Sequence, residues 1–179
     1  MDDLVDAPPD PHTPADGRQR VAALYQEHAL TLVGLAKIML GDQAAAEDVV
    51  QDSFLGLYRR WLSLDDHDRA VGYLRASVLN GCRNAHRGRT RRDRALAFAG
   101  RPADVVSAEE SALIGEANRE VMAALRALPG RQREAVVLRY YLDLSEDEAA
   151  LAMRVSRGTA KSTVARGLTS LRNLLKESS

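Results

Sequence analysis

Cationic and hydroxyl side chains are concentrated near the carboxyl end of the chain, in the stretch SRGTAKSTVAR at residues 156–166. Lysine and arginine bind phosphate groups, and serine and threonine are short enough to reach base edges in the major groove. We therefore predict that this stretch contacts DNA. The candidate residues are Arg157, Thr159, Lys161, Ser162, Thr163 and Arg166.

The candidates lie on the second of two predicted short helices. Ser145, followed three residues later by Glu148, forms a capping-box pattern that marks the start of the first helix, and we expect this helix to end near Arg154. Ser156 can cap the second helix. Its predicted inward face consists of Ala160, Val164 and Leu168. Two short helices joined by a tight turn predict a helix-turn-helix, and a helical hairpin whose cations are merely solvated is the alternative.

The charge of the chain is balanced in total but not along its length. There are 25 lysines and arginines against 25 acids, so the formal net charge is zero. Residues 81–94 nevertheless hold six arginines and one acid, and residues 154–176 hold six cations and no acid. Two separate basic segments predict two cationic surfaces, which suit a nucleic-acid partner.

The composition predicts an all-α protein. Aromatic residues make up only 4% of the chain, whereas alanine, leucine, arginine and glutamate, which favour helices, recur throughout. A helical stripe runs from Val21 to Met39 and stops at Gly41, after which Asp42 can cap the next helix. We expect two small helical domains, at 18–94 and 109–179, joined by a flexible linker at 95–108, with the helix-turn-helix in the second domain.

The first 17 residues contain five aspartates, four prolines and no lysine or arginine. Such a segment buries too little apolar surface to offset the entropy of ordering it, so we predict a disordered acidic tail. It does not resemble a secretory signal, and no apolar run approaches the roughly 20 residues that span a bilayer. We expect a cytoplasmic protein with no membrane contact of its own.

An enzyme is not indicated by the sequence. The four histidines lack metal-ligand spacing, and Cys82 lies on an apolar stripe, where a cysteine is more often buried than nucleophilic. There is no glycine-rich phosphate loop and no plausible set of nucleophile, base and orienting residue. We therefore predict no catalytic residue, no metal site and no cofactor.

Four segments together resemble the extracytoplasmic-function sigma factors, the small two-domain branch of the sigma-70 superfamily of bacterial RNA polymerase initiation factors. They are AEDVVQDSFLGLYRRW at 46–61, YLRASVLNGCRN at 73–84, LPGRQREAVVLRYYLDLSEDEAALAM at 128–153 and VSRGTAKSTVARGLTSLR at 155–172. The resemblance covers about residues 18–177. It implies a protein that binds core RNA polymerase, recognises the minus-35 and minus-ten promoter elements and assists strand opening.

The resemblance also implies partners and their contacts. Residues 18–94 correspond to sigma region 2, in which Asp48, Gln51 and Asp52 are candidates for docking on the clamp of the largest polymerase subunit. Residues 109–179 correspond to region 4, which contacts the flap of the second-largest subunit and places its second helix on the minus-35 element. Such proteins are commonly held inactive by an anti-sigma factor. A solvated helix face is the alternative for the three polymerase-binding candidates.

The helix at 71–87 would face the opened minus-ten element, where unstacked bases are held by aromatic stacking, polar contacts and cations. The candidates are Tyr73, Asn80, Arg83, Asn84 and Arg87. The loop at 63–69 could form part of a pocket for a flipped base. The family commonly has tryptophan where Tyr73 stands and an Ile-Ala pair near Ser77 and Val78, so base preference and melting strength are open. A core position is the alternative for Tyr73, and it is the favoured one for Trp61.

Two other classes of protein compete with a sigma factor. A stand-alone helix-turn-helix regulator would bind duplex DNA without polymerase, but it leaves the face from Asp48 to Asp52 and the helix from Tyr73 to Asn84 without a role. A helical interaction protein that does not bind DNA leaves both basic segments unexplained.

Overall fold

The computed structural model describes residues 14–61, 67–98 and 116–178, and within these ranges the chain is helical without a strand. Its helices are α1 (Pro14–Leu40), α2 (Gln43–Arg60), α3 (His67–Phe98), α4 (Glu116–Ala127), α5 (Gly130–Tyr140), α6 (Glu146–Met153) and α7 (Arg157–Ser178). The predicted all-α class is confirmed.

Helices α1, α2 and α3 pack together as the N-terminal module around fully buried leucines such as Leu35, Leu57 and Leu74. The turn between α1 and α2 follows the sequence prediction. Gly41 has a φ of +72°, the left-handed conformation that favours glycine at a helix end. Asp42 Oδ1 then accepts a hydrogen bond of 2.8 Å from the backbone N–H of Ala45, which caps α2.

The first helix begins earlier than predicted. Pro14 lies in its first turn, where the fixed φ of proline suits a helix and the missing N–H has no partner to lose. Gly17, which the prediction placed in the acidic tail, is buried against the indole ring of Trp61. Trp61 is only 9% exposed, so its predicted core position is confirmed. Residues 1–13 of the predicted tail lie outside the described residues.

The third helix is longer than predicted. It continues to Phe98, past the expected domain end at residue 94 and into the segment expected to be a linker. Arginine is a good helix former, so the arginine-rich stretch at 87–94 can continue the helix beyond the expected domain end. Residues 99–115, which contain the rest of the predicted linker, lie outside the described residues.

Helices α4 to α7 form the C-terminal module, and α6 and α7 form the predicted helix-turn-helix. The capping box is present, because Glu148 N donates to Ser145 Oγ at 3.2 Å while the Glu148 carboxylate accepts from Ser145 N at 2.9 Å. Arg154 follows α6 with a φ of +56°, and Ser156 Oγ accepts from the backbone N–H of Thr159 at the start of α7. Both predicted caps are confirmed.

The inward face of α7 differs partly from the prediction. Ala160 is buried as expected, but Val164 and Leu168 are only half-buried, and Thr163 and Gly167 lie deeper. Helix α5 approaches Gly167 so closely that a Cβ there would lie 2.6 Å from Cγ2 of Val136. The contact therefore selects small residues, which a hydrophobic pattern does not reveal.

The two modules also contact each other. Helices α5 and α6 of the C-terminal module pack against α1 and α3 of the N-terminal module, and one cluster of buried side chains runs through both. The sequence predicted two separate units, because each module has its own hydrophobic stripes and no pattern within one module reports on packing against the other.

Candidate nucleic-acid and protein interfaces

The exposed surface of α7 carries most of the predicted minus-35 residues. Arg157, Thr159, Lys161, Ser162 and Arg166 are all exposed. The acids of α6 lie beside the first cations of α7. Arg157 Nε donates to Glu146 Oε2 at 3.1 Å, and Lys161 Nζ lies 3.9 Å from Glu146 Oε1. This hydrogen bond lowers the pKa of Glu146 and raises that of Arg157.

Thr163 occupies a different position from the other minus-35 candidates. Its side chain is 6% exposed, and its Oγ1 donates to the backbone carbonyl of Thr159 at 2.6 Å. Thr163 Oγ1 in turn accepts a hydrogen bond of 3.4 Å from Arg166 Nη2. Thr163 therefore orients Arg166 from beneath, whereas Lys161 and Ser162 are exposed. The Ser162 hydroxyl also donates to the Thr159 carbonyl, at 3.0 Å.

A polar face runs along α3. Four of the minus-ten candidates lie on one side of this helix, because they are spaced by seven, four and three residues: Tyr73, Asn80, Asn84 and Arg87. Asn80, Asn84 and Arg87 are exposed, and Arg87 donates to Asn84 Oδ1. Tyr73 is half-buried with its hydroxyl against Gly56 of α2, so part of its ring belongs to the core. Of the predicted flipped-base loop at 63–69, residues 63–66 lie outside the described residues, and residues 67–69 belong to the first turn of α3 instead of a loop.

Arg83, the remaining minus-ten candidate, is directed toward the C-terminal module. Its guanidinium forms an ion pair with Glu134 of α5, whose side chain is 1% exposed. The sequence prediction missed Glu134. A signal was available, because this acid directly precedes the apolar run AVVL at 135–138 and follows Arg131 by three residues, a spacing that allows an ion pair on a helix.

The exposed face of α2 contains the three predicted polymerase-binding residues. All three are exposed, and Gln51 and Asp52 follow Asp48 by three and four residues, so each lies beside Asp48 on one face. Leu55 and Tyr58 continue this face at 47% and 42% exposure. Beside them lies a cleft of about 440 Å³ lined by residues of α1 and α2, including Tyr25 and Gln51. The sequence pattern did not single out Leu55 and Tyr58, although both are large apolar residues outside the predicted buried stripe.

The described residues contain no group of three potential metal ligands, and none of the helices described could cross a membrane by length and apolarity. Cys82 is buried, and this burial, together with the nearby charge of Glu134, raises the pKa of its thiol to about 12. A thiol with so high a pKa is a poor nucleophile at neutral pH.

The fold and these faces define a helix-turn-helix DNA-binding protein with a second helical module. The family description "Sigma-70 region 2" matches residues 24–92, and "Sigma-70, region 4" matches residues 118–171. The RNA polymerase sigma-E factor of Streptomyces coelicolor is 33% identical over 158 residues, which cover 84% of this chain and 85% of the relative. The ECF RNA polymerase sigma factor SigK of Mycobacterium ulcerans is 29% identical over 178 residues, 92% of this chain and 90% of the relative.

Solved structures agree with these sequence relatives. The sigma factor RpoE of Bartonella quintana, crystallised with the anti-sigma factor NepR, aligns with a TM-score of 0.68 at 25% identity and covers 86% of this chain and 97% of that one. CnrH, in complex with the cytosolic domain of CnrY, has the same fold with a TM-score of 0.69 at 21% identity, over 93% of this chain and 96% of CnrH.

The chain belongs to the sigma-70 family of RNA polymerase sigma factors, in its extracytoplasmic-function group. It directs transcription and is not an enzyme.

Proposed function

We propose that the chain binds core RNA polymerase through the exposed face of α2 and positions two DNA-binding surfaces on one promoter. The observation that carries this proposal is that Asp48, Gln51 and Asp52 form an exposed acidic patch which no packing requirement of the module explains. The patch continues into the exposed Leu55, and an apolar centre with a polar rim is typical of protein interfaces. The docking site would lie on the clamp of the largest polymerase subunit, and region 4 would contact the flap of the second.

We assign minus-35 recognition to the exposed residues of α7. Lys161 and Ser162 lie in the first turns of the second helix of the helix-turn-helix, the part that enters the major groove in this motif. Arg157, Thr159 and Arg166 flank them and would contact bases or adjacent phosphates. Thr163 would act by orienting Arg166, because its own hydroxyl is bonded within the helix.

We assign minus-ten recognition to α3. Asn80 and Asn84 would contact unstacked bases, while Arg83 and Arg87 would bind the strand's backbone. Tyr73 is half-buried, and its exposed part would contribute to stacking. The N-terminal module, α1 to α3, would thus serve as region 2, and the C-terminal module, α4 to α7, as region 4.

The cellular setting follows from this assignment. A protein that works within RNA polymerase would act in the cytoplasm. An anti-sigma factor is a further proposed partner, supported by the likeness to RpoE of Bartonella quintana, which was crystallised with the anti-sigma factor NepR.

Run-off transcription with purified core polymerase on pooled genomic fragments tests the proposal. We expect new, discrete start sites that require the chain and disappear in the double variant Asp48→Lys with Asp52→Lys. The matched control is Glu27→Lys with Glu177→Lys, which changes the net charge equally at exposed sites on α1 and α7 and should retain the start sites. Full activity of the α2 variant would contradict the proposed docking face. Duplex binding by the chain alone, without any polymerase-dependent start, would favour the stand-alone regulator.

A further inference from the structure

The contact between the two modules is centred on the ion pair of Arg83 and Glu134. Arg83 Nε donates to Glu134 Oε2 at 3.3 Å, and its Nη2 donates to Oε1. Arg83 is 22% exposed and Glu134 only 1% exposed. A carboxylate removed from water to this degree is retained only where cations and hydrogen bonds compensate for its lost solvation. The modules therefore meet through a specific, charged contact as well as through apolar packing.

Further polar contacts surround this pair. Arg133 Nη1 of α5 donates to the backbone carbonyl of Met39, at the end of α1, at 2.8 Å. Arg75 of α3 donates to Glu148 of α6 at 3.2 Å. Each of these bonds joins the N-terminal module to the C-terminal one.

The contact also places Tyr141 against a glycine. Tyr141 packs its phenol ring over Gly34 of α1, so closely that a Cβ at Gly34 would overlap the hydroxyl oxygen and lie 2.9 Å from Cζ. A glycine in the middle of a helix is destabilising by roughly 0.5–1 kcal/mol relative to alanine. The close approach of the second module gives this glycine a structural reason.

Glu134 has a second partner within its own module. Arg131 Nη1 lies 3.2 Å from Glu134 Oε2, one helical turn away on α5. If the modules separate, Glu134 keeps this cation, whereas Arg83 loses its carboxylate and becomes available to another anion. The ion pair can therefore be exchanged without leaving the buried Glu134 carboxylate uncompensated.

We propose that the contact between Arg83 and Glu134 is an intramolecular latch that closes the free chain and withholds Arg83 from single-stranded DNA. The inference rests on the proposed minus-ten role of Arg83. In the closed form the Glu134 carboxylate accepts hydrogen bonds from the Arg83 guanidinium, which a DNA phosphate would otherwise bind. A guanidinium donates to carboxylate and to phosphate in the same way, so the two anions compete for it. Separation of the modules, as required for simultaneous contact with two promoter elements, releases the cation.

The closed form is tested first without DNA or polymerase. Spin labels placed at Gln26→Cys and Asn173→Cys, both exposed, report the distance between the modules by pulsed electron paramagnetic resonance. Cys82 lies beside Glu134 at this contact, so every labelled chain also carries Cys82→Ala, which keeps the label off this position when the modules separate. We expect one narrow distance distribution for the parent chain, and broader, longer distances in both Glu134→Gln and Gly34→Gln. Gly34→Gln opens the contact by size and leaves every charge in place.

Two variants serve as controls for this measurement. Gly88→Gln introduces the same side chain on α3 at a position with open space, and Glu27→Gln neutralises an exposed acid outside the contact. Both should give the parent distribution. A parent distribution that is already broad, or one that neither Glu134→Gln nor Gly34→Gln changes, overturns the latch.

The consequence for DNA is measured by binding of the free chain to a pool of random single-stranded oligodeoxynucleotides. If only a small fraction of the free chain is open, the apparent affinity for single-stranded DNA is reduced by that fraction. Opening the whole population in Glu134→Gln removes this reduction, and we expect the affinity to rise by about fivefold or more. Adding Arg83→Ala to that variant should remove the gain. If the modules open but the affinity for single-stranded DNA does not rise, the closed form does not withhold Arg83, and Arg83 has no minus-ten role. A failure of transcription alone would contradict the proposed function and not the latch.

Discussion

Lys161 lies on the exposed side of α7, loosely associated with Glu146 across a gap of 3.9 Å. An exposed ion pair at this distance contributes little, so the ammonium group can exchange its partner for DNA. A base contact contributes about 1 to 3 kcal/mol of discrimination, whereas a phosphate contact strengthens binding to all sequences alike.

We predict that Lys161→Ala lowers the ratio of affinities for matched and scrambled minus-35 sequences by about fivefold or more, given a discrimination of about 1 kcal/mol at the least. Arg91→Ala, in the exposed basic end of α3, should weaken both affinities equally and reduce the salt dependence. The measurement is promoter binding by the complex of this chain with core polymerase. An unchanged ratio for Lys161→Ala would remove it from base recognition.

At this scale, residue type and spacing predicted most exposed positions correctly, because a cationic or amide side chain on a helix has few reasons to be buried. Thr163 shows the limit, since threonine suits either a base contact or a bond to the preceding turn, and here it is buried and makes the second. Arg83 shows another limit, because its partner Glu134 is 51 residues away and belongs to the other module.

The start of α6 depends on its capping box. Hydrogen bonds from the backbone and hydroxyl of Ser145 lower the pKa of Glu148 below its usual value near 4.5. When the pKa of a carboxyl group is lower in the folded chain than in the unfolded chain, its ionised form stabilises the fold. This contribution is complete at pH values above the unfolded pKa, and it is lost as the pH falls through the folded pKa.

We predict that Glu148→Gln lowers the free energy of unfolding by about 0.3 to 1 kcal/mol at neutral pH, because glutamine keeps the acceptor of the capping box but loses the negative charge at the start of α6. The variant should also lose less further stability than the parent as the pH falls below about 4.5. Urea denaturation at several pH values measures both effects, with Glu177→Gln at the exposed end of α7 as the control. Parallel pH profiles for parent and Glu148→Gln would show that the bonds to Ser145 do not stabilise the ionised carboxylate.

The packing of α7 on α5 depends on Gly167. A Cβ at this position would lie 2.6 Å from Val136 Cγ2 and 3.0 Å from the backbone oxygen of Gln132, and the backbone cannot rotate away as a side chain can. We predict that Gly167→Ala costs about 1 to 3 kcal/mol of stability, the range typical of overpacking. Gly158→Ala, on the same helix with open space around it, should be neutral or slightly stabilising. Thermal unfolding compares the two, and equal effects would contradict the close contact.

Elements were predictable where a local signal marks their ends. Asp42, Ser145 and Ser156 each cap the helix that the sequence assigned to them, because capping depends on neighbours within three residues. The start of α1 and the end of α3 were misplaced, since Pro14 and the final arginines tolerate a helix without demanding one.

The whole molecule has one continuous buried cluster in the part of the chain that the structure describes, with side chains from both modules. Two units that share such a cluster unfold together if their contact is strong compared with the stability of each one. We predict a single calorimetric transition for the parent chain, in which the calorimetric and van't Hoff enthalpies agree. Gly34→Gln should divide it into two, whereas Gly88→Gln should not. Two transitions in the parent would show that the modules melt independently.

Packing between modules was the part of the fold least accessible from sequence. Arg75, Arg133 and Tyr141 are ordinary surface residues by type, and Gly34 interrupts α1 without a local signal that explains it. Their roles depend on contacts between segments that lie far apart along the chain.

The indole of Trp61 provides a natural optical probe of the N-terminal module. It is the single tryptophan of the chain, it is 9% exposed, and Gly17 of α1 covers it. Its emission therefore reports on the packing of α1 against the end of α2, and it shifts to longer wavelength when α1 leaves the ring. A chain shortened to begin at residue 18 would expose the ring and show this red shift while still folded, so the fluorescence of the intact protein also reveals whether the first turns of α1 are in place.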